Sequence, residues 1–146
     1  MEWLTTEDGK YRIESLSAAT FHGALKVIKE SFCQDESVCI GLELNKNEKA
    51  LEEFLEMCAN VALDGVSLVA VHIETGEVAA IAFNEIQTAT KDPSKQQFSK
   101  IFAKRITQDS IHELFRWGND IHSRTENFFE KFDIDCKLEI MYVSTH

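Results

Sequence analysis

Two apolar runs joined by a four-residue connection constrain this chain more than any other feature. Val66 to Ile73 is a nearly continuous apolar stretch of eight residues, the pattern of a strand buried on both faces. Val78 to Ile86 is a second such stretch, rich in small residues. Between them stand Glu74, Thr75 and Gly76, followed by Glu77. Strands separated by so short a turn pair as an antiparallel hairpin. The chain must therefore build a sheet around residues 66–86, and everything else has to pack against it.

The flanking segments supply further elements. Tyr11 to Leu16 alternates as a short strand, and Ser17 is placed to cap a helix. Phe21, Ala24, Leu25, Ile28 and Phe32 form one helical stripe that ends at Phe32. A polar turn follows: Cys33, Gln34, Asp35, Glu36 and Ser37. Val38 to Leu44 reads as another helical turn. Asn45 with Glu48 reads as a capping start for a second helix, whose stripe is Leu51, Phe54, Leu55, Cys58, Val61 and Ala62. Gly65 is placed to stop it. Thr88 to Gln96, with the single proline Pro93, predicts a loop, and Phe98, Ile101, Phe102 and Ile106 a short helix. Thr107 is then the expected cap of one long helix with a stripe from Ile111 through Leu114, Phe115, Gly118, Ile121 and Phe128 to Phe132. Cys136 to Ser144 alternates as a last strand, with Cys136, Leu138, Ile140 and Tyr142 on one side and Lys137, Glu139 and Met141 on the other. This order predicts one α/β domain, of the α+β kind, over residues 1–146, its mainly antiparallel sheet covered by helices.

Composition narrows the function. With 44% hydrophobic residues and ten Phe, the 146-residue chain can bury a real core. No apolar run reaches membrane-spanning length, and the N-terminus is acidic at Glu2, Glu7 and Asp8, unlike a secretory leader. A soluble cytoplasmic protein with no membrane partner is expected. The net charge of −10 argues against nucleic acid, which needs a basic face. It is compatible with a cationic small molecule, although acidic chains commonly owe their charge to solubility. Cys33, Cys39, Cys58 and Cys136 form no Cys-x-x-Cys pair and read as free thiols, while the five histidines are scattered, so no metal site is expected. Gly65 and Gly76 are the nearest glycines, eleven residues apart, and no phosphate-cradling loop can be built from them.

Three stretches carry a family resemblance: Phe32-Cys33-Gln34-Asp35-Glu36 after the first helix, the hairpin Leu68 to Phe83, and Leu138 to Ser144. Together they resemble the N-terminal half of an N-acetyltransferase of the GNAT superfamily, most like the insect arylalkylamine (dopamine-type) enzymes, over roughly residues 10 to 146. The resemblance implies a GNAT-like sheet that is truncated after the family's fourth strand. The R/Q-x-x-G-x-G/A loop that would follow and hold the acetyl-CoA pyrophosphate is not in this chain. The implied reaction moves acetyl from acetyl-CoA to the primary amine of an arylalkylamine. Glu36 matches the family's glutamate, which attracts the cationic amine and takes its proton; burial against neighbours such as Phe32 is expected to raise its basicity. Met141, Tyr142 and Val143 match the strand whose main chain pairs with the pantetheine arm and polarises the thioester. Trp117, off the long helix's stripe, is the aromatic expected at the pocket or on the surface, and Cys33 and Asp35 lie close to Glu36. As a half-domain, the chain is expected to be inactive alone and to self-associate through Leu138 to Val143. The alternative is a non-catalytic acetyltransferase-like module that binds a partner through that strand.

Overall fold

The expected hairpin is the centre of the molecule. In the computed structural model, which describes residues 1–89, 104–125 and 127–146, β3 (Leu68–His72) and β4 (Val78–Thr88) pair antiparallel. Gly76 takes φ +72 in the turn, a left-handed conformation that glycine adopts without strain. β2 (Tyr11–Ser15) pairs with β3, and β5 (Cys136–Thr145) pairs with β4. One strand is unforeseen: β1 (Glu2–Thr5) folds back on β2 through a turn at Gly9, and the Trp3 indole donates to Ser15 Oγ at 3.0 Å. The sheet is thus five strands in chain order, all antiparallel, and the strand expected as the fourth is the fifth.

One face of the sheet carries the core. Val69 and Val71 of β3 and Ile81 and Phe83 of β4 are buried with Ala24 and Val27 of α1 (Ala18–Val27) and Phe54, Cys58 and Val61 of α4 (Glu48–Val61). Ile111 of α5 (Asp109–Arg124) joins them. Full burial of such side chains is worth about 1.5–3 kcal/mol each. α1 lies close to the sheet at Gly23, where a Cβ would come within 2.6 Å of Val78 Cγ2. The opposite face is open: Trp3, Leu4, Ile86, Leu138, Ile140 and Val143 are all exposed there.

Several boundaries differ from expectation. The first helix does not stop at Phe32 but widens into a π turn over Ile28–Phe32 and runs on through α2 (Cys33–Asp35) to α3 (Ser37–Gly41). Asn47, not Asn45, caps α4, its side chain accepting from Ala50 N at 3.2 Å. Asn45 lies inside a 3-10 turn, Leu44–Lys46, and its amide donates to Gln34 instead. Gly65 ends the α4 segment at φ +71, as expected. The single long helix is two, α5 and α6 (Phe128–Phe132), because Asn127 caps a new start by accepting from Phe129 N at 3.1 Å. Thr107 caps nothing: its hydroxyl and amide donate to Glu53. Positions 90–103, which hold most of the expected loop and short helix, lie outside the described residues.

The largest correction concerns β5. Lys137 and Glu139 face the helices, while Leu138 and Ile140 face outward, 58% and 65% exposed. The lysine is accommodated because its ammonium lies over the Phe128 and Phe129 rings, 5.5 and 5.8 Å away, and pairs with Glu139 at 2.8 Å. A bulge then changes the alternation: Phe83 opposes Tyr142 and Asn84 opposes Ile140, leaving Met141 without a partner across the ladder. Both Met141 and Tyr142 consequently contact the helical core, a placement that strict period-two alternation cannot give.

Candidate active site

The bulge opens onto a pocket of about 150 Å³ between β5 and the helices. The π turn and the loop after it supply Phe32 and Glu36, and α3 supplies Val38 and Cys39. Phe54 comes from α4, Leu114 and Trp117 from α5, and Met141 and Tyr142 from β5. Three rings form a fixed wall. Phe32 stacks on Phe54 with centroids 5.9 Å apart, and Tyr142 meets them edge-on at 5.7 and 5.1 Å. Such pairs add about 0.5–1.5 kcal/mol each beyond their burial.

Backbone geometry explains where Glu36 stands. Its amide donates to Phe32 O at 2.9 Å, ending the helical run, and its carbonyl accepts from Ile40 N at 2.9 Å, starting α3. Between those bonds the residue is extended, φ −68 and ψ 125, so it sits at a corner between two helical segments. Its side chain is exposed at the pocket mouth. The expected burial against Phe32 is therefore not what surrounds it. A carboxylate at the mouth of an aromatic pocket suits a cation that carries an apolar group.

The strand residues divide. Met141 and Tyr142 line the pocket; Val143 points to the opposite face and is 56% exposed. Burial pushes the Tyr142 phenol well above its usual range, with the nearby Cys58, Glu85 and Cys39 adding to the effect. It therefore stays protonated at neutral pH. β5 is the last strand of the sheet, so along its outer edge no other strand among the described residues takes its main-chain groups. An edge strand of this kind can pair with an extended, amide-bearing ligand. Trp117, singled out from its helical position, does line the pocket and is 53% exposed at its rim.

Asp35 and Cys33 do not line the pocket. Cys33 is fully buried, whereas Cys39 does line the pocket. The neighbouring Cys39 thiol, with burial, pushes the Cys33 thiol up, while the Cys33 thiol holds Cys39 down, against burial and the Glu36 carboxylate. Sequence reasoning missed Cys39, Val38 and Leu114 as lining residues and gave Phe54 to the core alone. Nothing in their spacing separates a pocket wall from a core. Among the described residues, no group of three His, Cys, Asp or Glu side chains could hold a metal ion, and no helix is long and apolar enough to cross a membrane.

No protein-family model matches the chain, and no curated protein does. Solved structures do. The protein designated arylalkylamine N-acetyltransferase 2 of the mosquito Aedes aegypti superposes with a TM-score of 0.78 at 22% identity, covering 93% of this chain and 61% of that one. Arylalkylamine N-acetyltransferase 7 of the same mosquito gives 0.73 at 20% identity, covering 93% and 53%. The chain thus spans between half and two thirds of the length of these neighbours. At such identities the likeness is one of fold: an antiparallel sheet with helices, arranged as in these two neighbours.

Proposed function

We propose that this chain carries the acceptor side of an N-acetyltransferase that moves acetyl from acetyl-CoA to the primary amine of an arylalkylamine. The observation that carries the proposal is the meeting of Glu36, Trp117, Met141 and Tyr142, from three separate parts of the chain, around one aromatic pocket. The fold shared with two arylalkylamine N-acetyltransferases supports it. An alkylammonium titrates near ~10 and arrives protonated at neutral pH. Glu36 attracts it to the mouth while its ring enters among Phe32, Phe54 and Tyr142. The carboxylate then takes the proton, directly or through a water, and the freed nitrogen attacks the thioester carbonyl. The main chain of Met141, Tyr142 and Val143 pairs with the pantetheine arm along the open edge and stabilises the developing oxyanion. Acetyl-CoA supplies the activated acyl group, and its thiol leaves. We place this chemistry in the cytoplasm, where buried free thiols such as Cys33, Cys39 and Cys58 remain reduced.

The test is release of free CoA thiol with tyramine or a related amine as acceptor, in a completed acetyltransferase domain that contains this chain and in its Glu36→Ala variant. The variant should lose turnover far more than acetyl-CoA affinity. Equal turnover in the two proteins refutes the assignment of the base. A second reading has its own support in the exposed apolar face formed by Leu138, Ile140 and Val143. There the chain acts without catalysis, as a binding module that associates through its last strand.

A further inference from the structure

Among the residues that line the pocket, Tyr142 alone carries a hydroxyl. Its ring is held on two sides. It stands edge-on to Phe54 at 5.1 Å and to Phe32 at 5.7 Å, with interplanar angles of 72° and 78°. Burial keeps the phenol protonated at neutral pH, so it is a donor. No side chain or main-chain group among the described residues takes a hydrogen bond from it. The ring itself borders open space, because it forms part of the pocket wall. Interior hydroxyls are as a rule bonded. The missing partner of this one has to come from the pocket: water when it is empty, a ligand group when it is filled.

We propose that Tyr142 is a specificity residue, whose hydroxyl donates to an oxygen carried on the ring of the acceptor amine. The inference rests on the reading of this pocket as an acceptor site and adds what the pocket selects. The charged group and the neutral donor stand on separate walls, Glu36 after the π turn and Tyr142 on β5. A ligand that satisfies both carries an ammonium at one end and an oxygen acceptor at the other. Between them it needs an apolar ring to lie against Phe32 and Phe54. Tyramine has that form. 2-Phenylethylamine has the same ammonium and the same ring but lacks the oxygen. When it displaces the water, the tyrosine hydroxyl is left buried and unpaired, and the site disfavours it by that difference. The two phenylalanines hold the Tyr142 ring before any ligand arrives, so little ordering opposes the bond.

Isothermal titration calorimetry of tyramine and 2-phenylethylamine into the parent chain and into Tyr142→Phe reads the effect without turnover. The substitution keeps the ring and its two edge-on contacts and removes the oxygen alone. The ratio of the two dissociation constants should shift by about 2- to 12-fold against tyramine, the worth of one net hydrogen bond. Phenylethylamine should bind Tyr142→Phe at least as tightly as it binds the parent. Without ligand, the variant should melt no lower than the parent, because no bond within the protein is lost. An unchanged ratio overturns the proposal and leaves the acceptor reading in place. A lower melting temperature in the variant also overturns it, since the hydroxyl would then have a partner in the protein. Binding of neither amine by the parent removes the acceptor reading and this proposal with it.

Discussion

Ser31 donates its hydroxyl hydrogen to the main-chain carbonyl of Thr145 at 2.6 Å. This bond joins the π turn, which ends one residue later at Phe32, to the far end of β5, and it spans 114 positions. The two walls of the pocket that carry Glu36 and Tyr142 are thereby fixed to each other near the chain's end. Next to Thr145, the His146 ring nitrogen lies 3.8 Å from the Glu30 carboxylate of the same π turn, and the His146 amide holds the strand end to β4 by donating to Ala79 O at 2.9 Å.

Ser31→Ala should therefore cost about 0.5–1.5 kcal/mol, the usual net value of one such bond, toward the low end because the site is exposed. For a chain of this size that is a fall in melting temperature of roughly 1–5 °C. Ser31→Thr, which keeps the hydroxyl, should recover most of it. Differential scanning calorimetry of the three proteins reads this directly. Identical melting of Ser31→Ala and the parent would show that the bond contributes nothing to stability.

Glu53 gives a pH dependence with a definite sign. Its partial burial acts to raise its pKa, but its carboxylate accepts from Thr107 Oγ1 at 2.5 Å, Thr107 N at 2.9 Å and Gln108 N at 3.2 Å, and these bonds together hold it below the ordinary 4.5. A group depressed in the folded state contributes stability above its unfolded pKa and loses that contribution as pH falls through its folded value. The stability difference between the parent and Glu53→Gln should thus be constant from pH 7 down to the ordinary value. Below it the difference should shrink. Urea unfolding at pH 7, 5, 4 and 3 measures it, and a difference that grew on acidification would reverse the assignment.

Gly23 sets two effects against each other. It lies inside α1, where Ala is favoured over Gly by about 0.8–1.0 kcal/mol. The added methyl would stand 2.6 Å from Val78 Cγ2 and 3.0 Å from Val78 Cβ, and such overpacking costs about 1–3 kcal/mol. The clash prevails, so Gly23→Ala should destabilise the chain. Adding Val78→Ala to Gly23→Ala should cost less than Val78→Ala costs the parent, because the helical gain then appears without the clash. A double-mutant cycle by denaturant unfolding tests both signs, and simple additivity would remove the close approach as the cause.

The hairpin was legible in the sequence because two apolar runs and a turn at Gly76 leave one way to pair. The stripes of α1 and α4 were legible because helical spacing there coincides with one core. β1 was not, since a strand of four exposed residues has no buried face to leave a pattern. Neither were the faces of β5. There Lys137 sits inward over two phenylalanine rings, a contact made with residues that only the fold brings near. The same limit applies to the pocket. Glu36, Met141 and Tyr142 were picked out by resemblance and do converge, whereas Cys39 and Leu114 enter through the packing of α3 and α5, which no local spacing records.

The outward face of β5 yields the last prediction. Leu138, Ile140 and Val143 stand together at 58%, 65% and 56% exposed, beside Ile86 on the neighbouring strand at 48%. Contiguous apolar surface of this kind is uncommon on monomers, and each such side chain gains about 1.5–3 kcal/mol when fully covered. β5 also offers its open edge, so a second copy can add both strand pairing and side-chain cover. The chain should therefore sediment as a concentration-dependent oligomer at neutral pH. Ile140→Glu removes one apolar contact and places a buried charge in any such interface, yet it leaves the core untouched because the position faces outward. It should shift the protein toward monomer without lowering its melting temperature by more than the loss of association explains. The conservative Ile140→Val should leave the association in place. A parent chain that sediments as a monomer at every concentration would show that this face is not a self-association surface.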